Sequence, residues 1–353
     1  MTNRELTIRN LGENLDKLMN LDPRGYGVCN ILYAGSREYT GEPLSTNAAK
    51  KLIDTISEGD LVYIITGFVL IPHNKAETDG MVSSLTLADF LIKAFGVRVC
   101  FITPEECTNA VENVCKYFGM DICSVDELTD NKGSFAHVVF SKDFDEAEKM
   151  ADELISAELP KAVLSIEAPG RNAVNKYHNA IGQDITDLEA KTDILFEKLL
   201  EKGVFNIAIG DLGNECGMGA IKDHIKTYIP YAAENECSCG CNGGLLSNQA
   251  ADNIITATVS DWGTNAMMAA MAYIADKHEY FNNAKQQQEL MQICADSGLI
   301  DMYGEHIPRI DGIGGEILCP IIELMAQLIA FPATVEDKTR TWFDKTIEKG
   351  YFE

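Results

Sequence analysis

Five carboxylates stand where short apolar segments give way to polar or glycine-rich sequence. They are Glu77, Asp79, Glu167, Asp211 and Glu215. Oxygen ligands of this kind suit hard divalent cations such as Mg²⁺ or Mn²⁺, with waters and substrate completing the coordination shell. Taken singly, each carboxylate is explained as a helix N-cap or first-turn residue, which the helix dipole favours. Together at adjacent strand ends they would repel one another, and a cation is the simplest group that neutralises them.

The densest polar and glycine-rich stretch is Gly210–Gly219, which carries the pair Asp211 and Glu215. Glycines at this spacing let the backbone approach a ligand closely and leave the N–H groups of the following helix free for an anion. The stretch fits neither the dinucleotide-binding pattern G-x-G-x-x-G nor the Walker pattern with its lysine. Its distinguishing feature is therefore the pair of carboxylates, one at a strand end and one on the opening turn of the next helix.

Two further aspartates, Asp301 and Asp311, lie in glycine-flanked loops later in the chain. Turn formation explains both, because aspartate commonly serves turns next to glycine, but either could also complete the acidic site from above. Arg171, with Tyr177 and His178 close in sequence, supplies candidate positive and titratable groups. Such groups suit a small anionic substrate.

Three cysteines stand close together in the sequence Cys237-Ser238-Cys239-Gly240-Cys241. Their spacing is tighter than the usual C-x-x-C pair, and no second cysteine or histidine pair stands at zinc-finger spacing. A structural or substrate-lining turn is the favoured interpretation, and a reduced thiol acting as nucleophile is the alternative. The chain has eleven cysteines, an odd number without an export signal, so we expect reduced thiols that mostly serve as small buried hydrophobic residues.

Short apolar segments alternate with longer stretches of helical periodicity, which is typical of parallel strands joined by crossover helices. The pattern predicts a mostly parallel, Rossmann-like α/β sheet flanked by helices, with a helical carboxyl-terminal layer. Ligands of such sheets bind beyond the carboxyl ends of the strands, where the carboxylates fall. The predicted strands are 27–34, 61–68, 97–103, 136–141, 162–167, 205–210 and 253–260, and the predicted helices are 47–56, 84–95, 105–118, 145–157, 193–202, 265–280, 285–295, 317–331 and 338–349.

No low-complexity linker or solenoid-length repeat divides the chain. We therefore expect a single α/β domain over residues 1–353, with a parallel-sheet core at 1–260 and a mainly helical layer at 261–353 that closes the site. The formal charge of −25 opposes binding to nucleic acid or anionic lipid. The segment 1–20 lacks the features of a signal or transit peptide, and the apolar segment 61–71 is too short to cross a bilayer. We expect a cytoplasmic protein without nucleic acid or membrane partners, and the acidic surface leaves homo-oligomer formation open.

Short motifs follow one another in a specific order along most of the chain. They are Thr66-Gly67-Phe68, Glu77-Thr78-Asp79-Gly80, Ser165-Ile166-Glu167 with Pro169-Gly170-Arg171, Gly210-Asp211 with Gly213-Asn214-Glu215 and Gly217-Met218-Gly219, Cys239-Gly240, Ser260 with Trp262-Gly263, and Asp311-Gly312. As an ordered set these motifs resemble the D-glutamate cyclase family. The resemblance is to the catalytic portion that in animal members follows a separate amino-terminal domain.

The resemblance implies a lyase that dehydrates D-glutamate to 5-oxo-D-proline with the assistance of a divalent metal, Mg or Mn. The neutral α-amine must attack the γ-carboxylate, and a metal can stabilise the charge that develops there. The resulting hypothesis makes Glu77 or Glu167 the base and Arg171 the anchor of the α-carboxylate. Its metal ligands are Asp79, Asp211, Glu215 and Asp311, and its substrate-binding residues are Thr78, Gly80, Gly213, Asn214, Gly217 and Gly219.

Two other functions use the same acidic residues. A phosphatase dependent on Mg²⁺ or Mn²⁺ would hold a metal and a water with them and receive the phosphate of a small ester at the helix that opens at Glu215. A non-catalytic module would bind a cation or small ligand for structural or regulatory ends. Because these functions need similar oxygen ligands, the residues alone do not separate them.

Overall fold

A computed structural model describes residues 1–351, except for the side chains at 333 and 336–339. The strands are β1 (Leu61–Thr66), β2 (Val69–Leu70), β3 (Lys75–Ala76), β4 (Arg98–Thr103), β5 (Phe135–Val139), β6 (Ala162–Ile166), β7 (Phe205–Gly210), β8 (Ile254–Thr256), β9 (Arg309–Ile310) and β10 (Ile313–Gly314). The α-helices are α1 (Asn3–Met19), α2 (Val28–Thr40), α3 (Leu44–Thr55), α4 (Met81–Phe95), α5 (Thr108–Phe118), α6 (Val125–Thr129), α7 (Phe144–Ala157), α8 (Thr192–Glu201), α9 (Lys222–Tyr228), α10 (Ser260–Ile274), α11 (Ala284–Asp296) and α12 (Gly315–Glu348).

The central sheet has six parallel strands in the order β5-β4-β1-β6-β7-β8. The chain runs outward from β1 through β4 to β5 and then returns to build the other half, starting with β6. Strand order therefore reverses between β1 and β6, and a crevice opens at such a reversal beyond the carboxyl ends of the strands. This architecture confirms the predicted α/β class, and it places the loops after β1, β6 and β7 beside one another.

The predicted strand at 27–34 is wrong, because this segment belongs to helix α2. The helix begins after Gly27, whose φ of 77° only glycine adopts without strain. Its buried residues Cys29, Leu32 and Ser36 recur at helical spacing. A short apolar run of this kind does not distinguish a buried strand from a buried helix by its hydrophobicity alone.

Other boundaries also differ from the sequence prediction. Helix α1 occupies a segment for which no element was predicted, and a capping box between Thr2 and Glu5 starts it. The predicted helices at 317–331 and 338–349 are joined in the single helix α12, which contains Pro332. Helix α10 begins at Ser260 rather than at residue 265, so the predicted strand 253–260 is shortened to β8.

The carboxylate of Asp16 ties the amino-terminal helices together. It accepts hydrogen bonds from the backbone N–H groups of Leu44 (2.7 Å) and Ser45 (3.1 Å), which open α3. It also accepts from the hydroxyls of Ser45 (2.6 Å) and of Tyr33 on α2 (3.0 Å). The side chain is buried, so the donors of Leu44 and Ser45 depend on it rather than on water, whereas Tyr33 is partly exposed. Asp16 on α1 is thereby joined to α2 and to the start of α3.

We expect Asp16→Ala to lower the free energy of unfolding by about 3 kcal/mol, because several buried donors lose their acceptor. Urea denaturation followed by circular dichroism measures this change. The matched control is Glu13→Ala, which removes the partly exposed partner of Arg37 (2.6 Å) and should cost less than about 1 kcal/mol. Equal effects of the two substitutions would contradict the role of Asp16 as a buried hydrogen-bond acceptor that links the helices.

The first half of α12 combines length with apolar composition. Among the described residues, the stretch Gly315–Pro332 has a mean hydropathy of 1.4, enough to cross a membrane by length and composition, and 28% of it is buried. Helices of soluble proteins also pass this test, so it is weak support for a membrane span. The absence of a membrane partner therefore stays a prediction.

Candidate active site and metal centre

Acidic side chains converge at the carboxyl edge of the sheet, around a cavity of about 440 Å³. Glu77, Glu167, Asp211 and Asp311 line this cavity. Carboxylate oxygens of Asp79, Asp211 and Asp311 lie within 4.8 Å of one another, as do those of Glu167, Asp211 and Glu215. Asp211 belongs to both groups. The predicted acidic residues therefore come together, and their oxygens are close enough to share a cation.

Asp79 is fixed by the amino terminus of α10. Its Oδ2 accepts the N–H of Ser260 (2.9 Å), and its Oδ1 accepts the N–H groups of Asp261 (2.8 Å) and Gly80 (2.8 Å). Free N–H groups and the dipole at a helix start favour a negative charge at this place. Asp79 thus serves as a helix cap, as the sequence pattern also allowed, and it contributes an oxygen to the acidic group as well.

Glu167 follows β6 directly and has a φ of 43°, in the left-handed region that residues with a side chain seldom adopt. Its Oε2 accepts a hydrogen bond from the hydroxyl of Ser260 (2.6 Å). Gly80 leaves the space for this geometry, because a Cβ there would stand 2.5 Å from the Cβ of Glu167. Ser260 was part of a sequence motif but was not predicted as a site residue, and the structure gives it a role in orienting Glu167.

Glu215 organises the loop after β7. Its Oε1 accepts the N–H groups of Asp211 (2.9 Å) and Leu212 (2.7 Å), and its Oε2 accepts that of Gly213 (2.6 Å). The side chain is fully buried. Glu215 was predicted as a metal ligand, and both of its oxygens hold backbone amides. Asp211 is the contrasting case, since its carboxylate faces the cavity.

The acidic residues stand in an environment that disfavours their charged forms. Burial raises the pKa of Glu77, Asp79, Glu167 and Asp211 well above the ordinary carboxyl value, and the neighbouring carboxylates raise it further. For Asp79 the backbone amides of α10 oppose this shift. Proton uptake relieves this repulsion, and a bound cation would relieve it in the same way.

Arg24, in the loop between α1 and α2, is the cationic residue among the described side chains that line the cavity. Its Nη1 donates to Asp311 (2.9 Å) and its Nη2 donates to the carbonyl oxygen of Thr258 (2.6 Å). Burial opposes its charge, but Asp311, Asp211 and Asp79 raise the pKa of Arg24 above its ordinary value. Sequence reasoning missed this residue, because no strand was expected to end beside it; the only signal was the glycine-rich turn around it.

Two buried polar atoms of the cavity lining have no hydrogen-bond partner among the described residues, namely Nε of Arg24 and Oδ1 of Asn214. The amide nitrogen of Asn214 donates to the carbonyl oxygen of His178 (2.9 Å), which fixes the direction of Oδ1. Buried polar atoms without partners are costly and are usually satisfied by water or a ligand. Both residues line the cavity, but these two atoms themselves have almost no exposed surface.

The other predicted substrate-binding residues have mainly structural contacts. The hydroxyl of Thr78 donates to the carbonyl oxygen of Arg309 (2.6 Å). A Cβ at Gly217 would stand 2.2 Å from the Cβ of Ala208, and one at Gly219 would stand 2.7 Å from a backbone oxygen. Gly213 has a φ of 100° and donates to Glu215. Among the described residues, Asn214 is the member of this predicted group that lines the cavity, while these glycines permit close packing.

Arg171, expected to anchor the substrate, is bound by other side chains. Its Nη1 donates to the buried Asp193 (2.7 Å), and its Nη2 donates to Glu197. It is not among the described residues that line the cavity. Asp301 also has a structural role, because its Oδ1 stabilises the local turn by accepting the N–H groups of Tyr303 (2.9 Å) and Glu305 (3.0 Å).

The chain is an α/β protein with a parallel sheet and a buried acidic crevice where the strand order reverses. The model of the family described as "D-glutamate cyclase-like, C-terminal" matches residues 15–323, and the chain belongs to this family. A named relative is human "D-glutamate cyclase, mitochondrial", which is 26% identical over 265 residues, covering 73% of this chain and 38% of the human protein. The chain thus spans well under half the length of that relative.

The comparisons support some of the expectations from sequence and leave others as predictions. They confirm the resemblance to the D-glutamate cyclase family and lend no support to a phosphatase. The relative's name includes "mitochondrial", so the expected cytoplasmic location stays a prediction for this chain.

Because the pKa values of the buried carboxyls of Glu167 and Asp211 are raised, these groups bind more protons in the folded protein than in the unfolded chain above pH ~4. Protonation of these carboxyls stabilises the folded protein at low pH. This stabilisation is lost as the pH rises through their folded-state pKa values. In the presence of chelator, we expect the free energy of unfolding to fall with rising pH and Asp211→Asn to make this fall shallower. Urea denaturation at a series of pH values measures both slopes.

The matched control for this slope is Asp121→Asn, which removes one charge at an exposed position. This variant should show the same fall of the free energy of unfolding with rising pH as the parent protein. If the two variants had the same slope, net charge rather than crowding in the cavity would explain the pH dependence.

Proposed function

We propose that this protein is a D-glutamate cyclase-like lyase that converts D-glutamate into 5-oxo-D-proline and water. The observation that carries the proposal is a cavity in which several buried carboxyls face one arginine. Its size suits a small metabolite, since ligand pockets in proteins span about 300–1,000 Å³. Membership of the D-glutamate cyclase-like family and the name of the human relative support this choice of reaction.

The reaction moves two protons from the substrate nitrogen to one oxygen of the γ-carboxylate. The ammonium group loses both as the nitrogen–carbon bond forms, and the carbon–oxygen bond that breaks releases water. A carboxyl with a raised pKa is a stronger base when ionised than an ordinary carboxylate, and it keeps its proton to higher pH. Glu77 and Glu167 face the cavity with such raised pKa values. We assign one as the base for the ammonium and the other as the acid for the departing oxygen.

Arg24 replaces Arg171 in our proposal as the anchor of the substrate's α-carboxylate. Arg24 lines the cavity, whereas the guanidinium of Arg171 is bound to two carboxylates and Arg171 is not among the described residues of the lining. Asn214 also lines the cavity, and its amide oxygen would accept a hydrogen bond from the substrate ammonium. These contacts would present the nitrogen and the γ-carboxylate to the acidic residues.

The acidic group also fits a divalent cation such as Mg²⁺ or Mn²⁺. Asp79, Asp211 and Asp311 offer oxygens within 4.8 Å of one another, and such hard ligands match these ions. When bound, the cation would polarise the γ-carboxylate and offset the charge that develops on its oxygens. Glu215 would act mainly by holding the loop that presents Asp211.

The direct test incubates the purified protein with D-glutamate and Mg²⁺ or Mn²⁺ and follows 5-oxoproline by chromatography. We expect turnover, and we expect Asp211→Asn to lower kcat/KM by about 100-fold or more, because it removes a carboxylate at the reacting centre. The control is Asp187→Asn at an exposed position, which should keep full activity. Absence of turnover with either metal, in protein shown to bind D-glutamate, would favour a non-catalytic binding module.

The two arginine assignments are separated by matched substitutions. Arg24→Lys should raise KM for D-glutamate by about tenfold, because a lysine cannot reproduce the guanidinium hydrogen bond. Arg171→Lys should leave KM near that of the parent protein, although it should lower the melting temperature through the buried Asp193. If both variants fold, a raised KM for Arg171→Lys with an unchanged KM for Arg24→Lys would identify Arg171 as the anchor instead.

A further inference from the structure

A second group of metal-binding side chains lies outside the acidic cavity. It consists of His178, Cys237, Cys239 and Cys241, which we call the thiol cluster. His178 belongs to the long loop between β6 and α8, and the cysteines belong to the long loop between α9 and β8. Nothing in the sequence pattern joins them, because His178 is far from the cysteines along the chain. The fold brings one ligand atom of each within 4.8 Å of the others.

The distances within the thiol cluster match the edges of a small tetrahedron. Nε2 of His178 lies 3.2 Å from Sγ of Cys239 and 3.6 Å from Sγ of Cys241. Sγ of Cys237 lies 3.5 Å from that of Cys241 and 3.7 Å from that of Cys239. Zinc–sulfur bonds of ~2.3 Å and zinc–nitrogen bonds of ~2.0 Å in tetrahedral geometry place neighbouring ligand atoms roughly 3.5–3.8 Å apart.

Neither a disulfide nor a simple turn accounts for the thiol cluster. A disulfide needs two sulfurs at ~2.05 Å, and these sulfurs are farther apart and belong to free cysteines. A simple turn would not require a buried imidazole directed at the sulfurs, yet His178 is 1% exposed. Backbone N–H groups also point at the sulfurs, from Cys241 to Cys239 (3.4 Å) and from Gly243 to Cys241 (3.3 Å). Such donors stabilise the negative charge of metal-bound thiolates.

We propose that His178, Cys237, Cys239 and Cys241 form a structural Zn²⁺ site. Three thiolates and one imidazole are a complete tetrahedral set, which leaves no open position for substrate. Soft sulfur ligands select zinc over the Mg²⁺ or Mn²⁺ suited to the carboxylates. The two sites therefore differ in ligands, in metal and in role, and the zinc site does not depend on the proposed reaction.

The zinc site would fix one wall of the acidic cavity. Asn179, Ala180, Ile181 and Gln183 line the cavity and follow His178 directly. The carbonyl oxygen of His178 accepts the hydrogen bond that orients Asn214 (2.9 Å). The N–H of Ser238 donates to Gly182 (3.0 Å), which adds a second link between the two loops. A metal at this point cross-links segments that otherwise have little regular secondary structure.

The first test measures zinc in protein that is expressed with added Zn²⁺ and then desalted, using inductively coupled plasma mass spectrometry. We expect one zinc per chain in the parent protein and a loss of it in Cys239→Ser and in Cys241→Ser. The matched control is Cys319→Ser, a partly buried free cysteine outside the cluster, which should keep one zinc. A parent protein without zinc, or serine variants that keep it, would overturn the proposal.

The second test needs no cysteine variant and holds even if those variants fail to fold. Replacement of the bound zinc by Co²⁺ should give an intense thiolate-to-cobalt charge-transfer band and the strong visible bands of a tetrahedral ion. Cobalt bound only by carboxylates would lack the thiolate band, and that spectrum would overturn the proposal. Asp211→Asn should leave the thiolate band unchanged, so failure of the zinc site and failure of the lyase proposal give different results.

Discussion

The structure depends on keeping several negative side chains close together away from bulk water. Glu77, Glu167, Asp211 and Asp311 face one cavity, and Arg24 is the cationic residue in its described lining. One guanidinium does not neutralise these carboxylates and that of Asp22, which also lines the cavity, so bound protons or a cation would offset the remaining negative charge. The same imbalance explains why burial and repulsion shift these pKa values in one direction.

Backbone amides hold the acidic residues in place against this repulsion. The start of α10 supplies N–H groups to Asp79, and the loop after β7 supplies them to Glu215. The absence of a side chain at Gly80 lets Glu167 approach, and the hydroxyl of Ser260 orients it. The start of α10 and the loop after β7 thus hold the crowded carboxylates in place. The reversal of strand order between β1 and β6 brings these segments together.

Sequence reasoning predicted the parallel sheet and named carboxylates that the fold brings together, because strand ends and the carboxylates after them are visible in the hydrophobic pattern. It missed Arg24 because that residue lies between two helices, one of which was not expected and the other of which was predicted as a strand. It favoured Arg171 because that residue follows β6, and nothing in the sequence indicates that Asp193 pairs with it from α8. The thiol cluster was missed for a similar reason, since only tertiary structure brings His178 to the cysteines.

Asp79 belongs to two structures at once, the acidic cavity and the amino terminus of α10, a helix whose side chains are almost entirely buried. Loss of this carboxylate would leave the backbone N–H groups of Ser260 and Asp261 without their acceptor. A substitution at position 79 should therefore loosen the start of α10 as well as change the charge of the acidic group.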